Sequence, residues 1–307
     1  MNVEFSGVIG VLGLGPMGLP MARTLARAGF EVVGWNRSPV PAILPEPVAG
    51  QADPAKITIV DTPAEVGRLA TTVISMITDL PPLLPLVLGG GTGAPSHLLD
   101  VGHRVDTLVV MSTCAPAAVR AFAADLGRTG VDLVDAPVSG GIGGATTGTL
   151  SILVGARPES FARVLPVLEV LGRRVTHFGP VGAGSVAKAC NQLVVNTTVA
   201  ALAEAVLLAE RAGLDVPILL DALASGLAGS AVLDWKREAF SHNDFTPSGP
   251  VRLAVKDLGF ATAGGRDLGL DLPVGTAALT LFREAAAAGL GDLDNAAVLE
   301  YLRRRSG

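Results

Sequence analysis

The feature that most constrains this chain is a glycine-rich turn between an apolar strand and a helix. The turn, Gly13–Gly18, has the spacing Gly-x-Gly-x-x-Gly and directly follows the apolar run Val8–Leu12. Gly29 ends the helical pattern, and a second apolar run, Glu31–Trp35, begins at once. In such a turn the first glycine permits the tight bend, the second lets the backbone approach a pyrophosphate, and the third lets the helix pack close to the strand. The pattern predicts a dinucleotide site, and the alternative is a tight strand–helix turn with no ligand. The predicted binding residues are Gly13, Leu14, Gly15, Pro16, Met17 and Gly18.

The residues that end the second strand indicate which dinucleotide binds. An NAD site usually places Asp or Glu there, about 20 residues after the glycines, to bind the ribose 2′-hydroxyl. This chain has Asn36, Arg37 and Ser38. Asn36 has no charge to repel a phosphate, Arg37 can make a forked contact with a 2′-phosphate, and Ser38 can donate to it. These residues favour NADP(H) over NAD(H), although Arg37 would also suit an ordinary exposed turn.

Composition limits the remaining possibilities. A chain of 307 residues predicts two domains. Only 17% of the residues are charged and 49% are hydrophobic, which predicts an extensive buried surface that includes a subunit interface. The net charge of −5 and the lack of a long basic run argue against nucleic acid as a partner. Two cysteines are typical of a reducing cytoplasm rather than of a disulfide scaffold, and the four histidines do not cluster at a spacing that predicts a metal site.

No segment predicts a membrane protein. The N-terminus has neither a basic region nor a long apolar run, so no signal peptide is expected. The best candidate for a span, Leu193–Ala209, contains polar residues and is shorter than the roughly 20 apolar residues that a span needs. We expect this segment to be a buried helix and the protein to be cytoplasmic.

Strand and helix patterns alternate up to about Gly184, and helical patterns follow. The fold class predicted is α/β, with an N-terminal Rossmann-type dinucleotide-binding domain (residues 1–180) before an all-α domain (residues 181–307) that starts with a long interdomain helix. The dense prolines of Ser38–Lys56 argue against a regular helix there. Predicted strands are Val8–Leu12, Glu31–Trp35, Ile57–Val60, Thr72–Ile77, Leu108–Met111, Val131–Val134, Leu150–Val154 and Val175–Phe178, and the last of them lie close enough together to pair antiparallel. Predicted helices include Pro116–Arg128, Pro158–Leu171, Ser185–Ala212, Val216–Ala224, Leu253–Gly264, Pro273–Ala288 and Asn295–Arg304.

The sequence DAPVSGG, Asp135–Gly141, follows a predicted strand, so it lies at the edge of the sheet where ligands bind. The hydroxyl of Ser139 and the amides of Gly140 and Gly141 could hold an anion. A flexible glycine loop fits the same residues, and residue type alone does not decide between them.

Lys188, Asn191, Gln192 and Val195 share one face of the helix that begins the second domain. Lys188 is a charge in an apolar stretch, so we expect its pKa to be lowered, which suits a proton donor to a carbonyl oxygen. A lysine that extends its amine to solvent or pairs with an acid is the alternative. Lys256 and Asp257 interrupt a later apolar helix, and their spacing fits a cleft-facing pair or a surface pair equally.

The sequence excludes the short-chain reductases, whose chemistry uses a tyrosine and a lysine four residues later. Tyr301 is the only tyrosine, and no lysine follows it four residues later. The tyrosine–lysine chemistry of short-chain reductases is therefore absent.

The chain resembles the β-hydroxyacid dehydrogenase family over nearly its whole length. The resemblance rests on the order and spacing of five motifs: GLGPMG, MSTCAP (Met111–Pro116), DAPVSGG, the Lys188-x-x-Asn191 pattern and KDL (Lys256–Leu258). The resemblance implies reversible hydride transfer between NADP(H) and a small β-hydroxy acid or its semialdehyde. It implies that Lys188 is the acid/base, that Asn191 orients the substrate or Lys188, and that Ser139, Gly140 and Gly141 bind the substrate carboxylate. Further residues implied to lie at the cofactor are Ile77, Thr78, Thr113 and Lys256.

Two departures and two alternatives accompany this resemblance. The family usually has a helix where this chain has its proline-rich stretch, which affects the adenosine end of the pocket. Imine reductases share the fold but typically replace the catalytic lysine, so Lys188 favours the hydroxyacid branch. A non-catalytic dinucleotide-binding or assembly protein is the more distant alternative, against which the retained Lys188 and Asn191 argue. Because Leu193–Ala209 is apolar on most sides, we also expect a homodimer or homotetramer built through the helical domain.

Overall fold

The chain divides into two compact units, Met1–Lys188 and Ala189–Gly307. The structure, a computed structural model, describes residues 7–38, 57–90 and 96–307. Of the proline-rich segment Ser38–Lys56, residues 39–56 lie outside these ranges, and so does the prediction about its helix content.

Nine strands of the described residues form one sheet at the centre of the N-terminal unit. Its strands are β1 Val8–Leu12, β2 Glu31–Trp35, β3 Ile57–Ile59, β4 Thr72–Ser75, β5 Thr107–Val110, β6 Asp132–Asp135, β7 Val138–Ser139, β8 Leu150–Gly155 and β9 Gly172–Gly179. In the order β3-β2-β1-β4-β5-β6 all neighbouring strands are parallel. Strands β2 and β3 are added on one side of β1, and the chain then crosses to the other side of β1 for β4, β5 and β6. Ligands bind at such a reversal in open α/β sheets, outside the carboxyl ends of the strands.

Helices cover both faces of this sheet. They are α1 Gly18–Arg27, α2 Pro63–Leu69, α3 Leu80–Leu88, α4 Pro116–Gly127, α5 Gly141–Thr147 and α6 Pro158–Leu171. One buried cluster joins α1 and α6 to one face of the strands, through residues such as Met21 and Val164. A second joins α2, α3 and α4 to the other face, through residues such as Val66 and Phe122. Strands buried on both faces explain why the sequence reads as continuous apolar runs.

All eight predicted strands are present, with boundaries that shift by a few residues. The two-residue strand β7 was not predicted, because it is too short to show a pattern. The expected antiparallel pairing among the last strands occurs between β6 and β8, and the unpredicted β7 also pairs antiparallel with β8. The expectation is wrong for β8 and β9, which are parallel because helix α6 connects them. The α/β prediction for this region is therefore confirmed.

The second unit consists of helices, as predicted. It contains most of α7 Ala183–Arg211, followed by α8 Val216–Ser225, α9 Ala231–His242, α10 Val251–Asp267, α11 Pro273–Ala285 and α12 Val298–Arg305. A π-helical turn, Ala286–Leu290, and a 3₁₀ turn, Asn295–Ala297, lie between the last two. Helix α9 was missed, although Ser230 caps its first turn and Asn243 ends it with a φ of 55°.

Among the helices of the described ranges, only α7 is long and apolar enough to cross a membrane, and 33% of its most apolar window is buried inside the protein. A helix in the core of a soluble protein can have the same length and composition. Polar side chains interrupt α7 at Lys188, Gln192 and Asn196, and Lys188 and Asn196 are buried.

Candidate active site

The glycine turn has the geometry that its sequence predicts. Gly13 has a φ of 93°, which favours glycine, and its N–H donates to the carbonyl oxygen of Trp35 at 2.9 Å. A Cβ at Gly18 would lie 1.9 Å from the carbonyl oxygen of Gly13, so the start of α1 packs directly on the turn. A Cβ at Gly15 would meet nothing within 4 Å, which leaves open space beside the backbone there. This combination fits a pyrophosphate that approaches the turn at Gly15.

The side chain of Asn36 supports the turn. Its Oδ1 accepts from the N–H of Leu14 at 3.0 Å, and its Nδ2 donates to the carbonyl oxygen of Ser38 at 2.9 Å. Asn36 therefore joins the glycine turn to the end of β2, a role that the charge argument did not identify. Arg37 and Ser38 are exposed beside it, where they can meet a ligand.

Backbone hydrogen bonds hold the ends of four parallel strands in line. Beyond the strands, Met76 N–H donates to Leu12 at 2.9 Å, Met111 N–H to Ser75 at 3.0 Å, and Ala136 N–H to Val110 at 2.8 Å. These bonds place the residues that follow β1, β4, β5 and β6 side by side on one edge of the sheet. The predicted cofactor residues on this edge are the glycine turn, Ile77, Thr78 and Thr113.

The predicted substrate loop follows on the same edge. Ser139 pairs with Ser151 of β8, and it is half-buried. Gly140 and Gly141 have φ values of 128° and 60°, which favour glycine, and α5 begins at Gly141. Since Gly144 N–H donates to Gly140 at 3.0 Å, the segment is an ordered turn into a helix rather than a flexible loop.

Lys188 is the last residue of the N-terminal unit, and 5% of it is exposed. One turn earlier on α7, Ser185 binds the fully buried Asp135 at the end of β6. Ser185 N–H donates to Asp135 Oδ2 at 2.7 Å, and Ser185 Oγ donates to Oδ1 at 2.7 Å. Burial raises the pKa of Asp135 to about 6, although these donors oppose the shift. The sequence contained Asp135 in its DAPVSGG segment, but nothing in the pattern indicated Ser185 as its partner.

The predicted site residues of the helical unit also form a connected group. Asn191 Nδ2 donates to Gln192 Oε1 at 2.9 Å, and Gln192 Nε2 donates to Asp257 Oδ2 on α10. Lys256 Nζ lies 3.8 Å from Asp257 Oδ1. Asp257 is buried, so Lys256 and Asp257 are not a plain surface pair, which answers the question that the spacing left open.

Comparison with known proteins agrees with these features. Residues 8–179 match the family model described as the NAD binding domain of 6-phosphogluconate dehydrogenase. Residues 182–302 match the model described as NAD-binding of NADP-dependent 3-hydroxyisobutyrate dehydrogenase. The 2-hydroxy-3-oxopropionate reductase of Escherichia coli K12 is 35% identical over 294 residues, which cover 96% of each chain.

Solved structures have the same architecture. The 3-hydroxyisobutyrate dehydrogenase of Salmonella typhimurium superposes with a TM-score of 0.83 and 27% identity, covering 96% of this chain and all of that one. Psf3, solved in complex with NADP+ and 2-OPP, has a TM-score of 0.80 and 25% identity, covering 96% and 99% of the two chains. An imine reductase from Myxococcus stipitatus shares the fold at a TM-score of 0.61 and 18% identity, with coverage of 97% and 99%. The main interpretation is thus better supported than the imine reductase alternative.

The family models match nearly the whole chain, and the glycine turn fits the dinucleotide that they imply. This chain is a nicotinamide-dinucleotide-dependent oxidoreductase acting on CH–OH groups, and it belongs to the β-hydroxyacid dehydrogenase family.

Proposed function

We propose that this enzyme interconverts a small β-hydroxy acid and its semialdehyde with NADP(H), using Lys188 as the acid/base. The observation that carries the proposal is the alignment of the strand ends. It brings the glycine turn and the Ser139–Gly141 loop to one edge of the sheet, and Asp135 of that edge binds the first turn of the helix that carries Lys188.

The roles of the residues follow from their chemistry. When bound at the glycine turn, a nicotinamide dinucleotide would supply the hydride for reduction of the carbonyl carbon, or would accept it in the reverse direction. Lys188 donates a proton to the carbonyl oxygen as the hydride arrives, and an ammonium there also polarises the carbonyl without a metal. Ser139 Oγ and the amides of Gly140 and Gly141 bind the substrate carboxylate, while Asn191 orients the substrate or Lys188.

Other residues hold the dinucleotide. Gly13–Gly18 receive the pyrophosphate, and Asn36 keeps this turn in place through Leu14. Arg37 and Ser38 bind the 2′-phosphate, which gives the preference for NADP(H). Ile77, Thr78, Thr113 and Lys256 would also bind the cofactor, with Thr113 on its nicotinamide side, as the family resemblance implies.

A panel of substrates tests the reaction. The purified protein is incubated with NADPH or NADH and tartronate semialdehyde, succinic semialdehyde, glyoxylate or a cyclic imine, and the loss of absorbance at the reduced nicotinamide band is followed. We expect turnover of a semialdehyde or oxo acid, with the higher kcat/KM for NADPH. Turnover of the cyclic imine alone would establish the imine reductase alternative, and turnover of none would support a non-catalytic role.

We also propose a homodimer or homotetramer built through the helical unit. Val194 and Leu208 on α7 are 63% and 72% exposed, and Ala201 between them is exposed as well. Their spacing of seven residues places them in one stripe along the helix. A second copy of the chain would bury this stripe, as obligate interfaces bury apolar surface.

Light scattering at low micromolar concentration tests the assembly. We expect a mass of at least twice the 31.1 kDa of one chain, and a monomer for Leu208→Glu. Val101→Glu, which changes an exposed apolar residue in the other unit, is the matched control and should keep the assembly. A stable and fully active species of the wild type at the mass of one chain would refute the assembly.

A further inference from the structure

We propose that Asp135 and Ser185 form a positioning pair that fixes Lys188 against the carboxyl end of β6. The inference rests on the role proposed for Lys188. Neither residue is expected to touch the substrate, because the Asp135 carboxylate and the Ser185 hydroxyl are engaged with each other. Their function would be to determine where α7 begins, and therefore where the amine of Lys188 stands.

The contacts between the two residues are specific. The Asp135 carboxylate accepts from the Ser185 N–H and from Ser185 Oγ, both at 2.7 Å. The backbone N–H of Gly182, just before α7, adds a further hydrogen bond to this carboxylate. All of these donors belong to the start of one helix, so a single side chain of the sheet fixes its first turn in position and direction.

Close packing further restricts movement of the first turn of α7. A Cβ at Gly184 would lie 2.3 Å from the carbonyl oxygen of Leu153 and 2.6 Å from that of Asp135. A Cβ at Gly155 of β8 would lie 2.7 Å from the N atom of Gly184. The helix start is thus in direct contact with β6 and β8, and only glycine allows this approach.

The same carboxylate also begins the proposed substrate loop. Asp135 pairs with Gly155 of β8, and Ser139, four residues later, pairs with Ser151 of the same strand. Lys188 lies three residues after Ser185, about one helical turn away. Asp135 therefore connects the segment that would hold the carboxylate with the segment that would donate the proton.

The chain offers a matched control at the other end of β6. Ser160 Oγ donates to Asp132 Oδ2 at 2.7 Å, and Ser160 is as buried as Ser185. Ser185→Ala and Ser160→Ala each remove one hydroxyl from a carboxylate on the same strand. Only Ser185 belongs to the helix that carries Lys188, since Ser160 is in α6.

We expect Ser185→Ala to lower kcat by about 10- to 100-fold, the range expected when a reacting group moves by up to about 1 Å. The dissociation constant for NADPH should stay within about twofold, because no predicted cofactor residue moves. Amide hydrogen exchange over residues 185–188 should become faster.

Two further variants serve as controls. Ser160→Ala should leave both kcat and this exchange unchanged. The Asn side chain in Asp135→Asn can still accept from the Ser185 N–H and donate to Ser185 Oγ, so this variant should retain more kcat than Ser185→Ala.

Two results would overturn the inference: wild-type kcat and exchange in Ser185→Ala, or an equal loss of kcat in Ser185→Ala and Ser160→Ala. The proposed function fails by a different result, namely full activity in Lys188→Met. The exchange over residues 185–188 does not depend on activity, so it still reports whether Asp135 and Ser185 position the helix in that event.

Discussion

Asp135 of the N-terminal unit and Asp294 of the helical unit are both buried, and they have opposite electrostatic surroundings. Asp135 of the N-terminal unit binds a hydroxyl and backbone amides of the start of α7, and burial raises its pKa to about 6. Asp294 of the helical unit binds the ammonium of Lys236 at 2.7 Å as well as the N–H groups of Ser248, Gly249 and Ala296. Burial raises the pKa of Asp294 as well, but these donors outweigh burial and lower that pKa overall.

The difference shows that burial alone does not determine what a carboxylate contributes. Ionised Asp135 is destabilising at neutral pH relative to the unfolded chain, whereas ionised Asp294 is stabilising. Lys236 is the other half of that pair, and burial lowers its pKa even beside Asp294. We therefore interpret the Lys236–Asp294 pair as structural. Asp135 lowers the stability of the fold when it is ionised, and we interpret its role as positioning the start of α7.

The largest expected effect comes from removing one partner of the ion pair. Lys236 and Asp294 are 1% and 2% exposed, so Lys236→Met leaves a buried charge without its counter-ion and should lower the free energy of unfolding by about 3–5 kcal/mol. Urea denaturation followed by the fluorescence of Trp235, in a Trp35→Phe background, reports on the helical unit alone. Arg252→Met removes an exposed ion pair of the same unit and should cost at most about 1 kcal/mol. Equal losses for the two variants would show that burial does not distinguish these pairs.

The second effect depends on pH and has the sign that separates the two aspartates. Because the pKa of Asp135 rises from 3.8 to about 6 on folding, the folded state holds its proton more tightly, and stability falls as pH rises from about 4 to 6. That shift corresponds to about 3 kcal/mol. Asp135→Asn removes this titration, so its stability relative to the wild type should improve by about that amount between pH 4 and pH 7. Urea denaturation followed by Trp35 in a Trp235→Phe background measures it, and a difference that is constant with pH would contradict the account. Asp294, with its lowered pKa, predicts the opposite: its stabilisation is lost as pH falls.

The smallest expected effect concerns an exposed charge. Arg37 lies at the surface, so its removal should change cofactor discrimination rather than stability. Arg37→Ala should weaken the preference for NADPH by about 1.5–3 kcal/mol, the scale of a hydrogen bond to a charged group. The check is the ratio of kcat/KM for NADPH and NADH in the wild type and the variant. A wild type that prefers NADH, or a variant with an unchanged ratio, would show that this turn does not select the cofactor.

Much of the N-terminal unit was predictable because its signals are local. Each parallel strand is a short apolar run. The glycine turn needs a positive φ at Gly13 and close packing at Gly18, and only glycine meets both requirements. The chain also predicts the edge that carries the site, since parallel strands place their carboxyl ends together. Asn36 shows the limit of such local signals. Its lack of charge can be read from the sequence, but its hydrogen bond to Leu14 depends on how β1 and β2 align.

Hydrogen bonds and ion pairs between residues far apart in the chain could not be predicted from the sequence. Asp135 and Ser185 are fifty residues apart, and Lys236 and Asp294 are fifty-eight apart. No periodicity links such partners, because each bond depends on how elements pack after they form. The expected pKa of Lys188 and its role as acid/base stay predictions.

The most direct measurement of the central claim is the rate of hydride transfer in Lys188→Met. The enzyme is mixed with NADPH and the best semialdehyde of the panel in a stopped-flow instrument, and NADPH oxidation is followed in a single turnover. We predict a rate about 10²–10⁴-fold below that of the wild type, with NADPH affinity nearly unchanged, since proton transfer alone is lost. A Lys188→Met enzyme that transfers hydride at the wild-type rate would contradict the account.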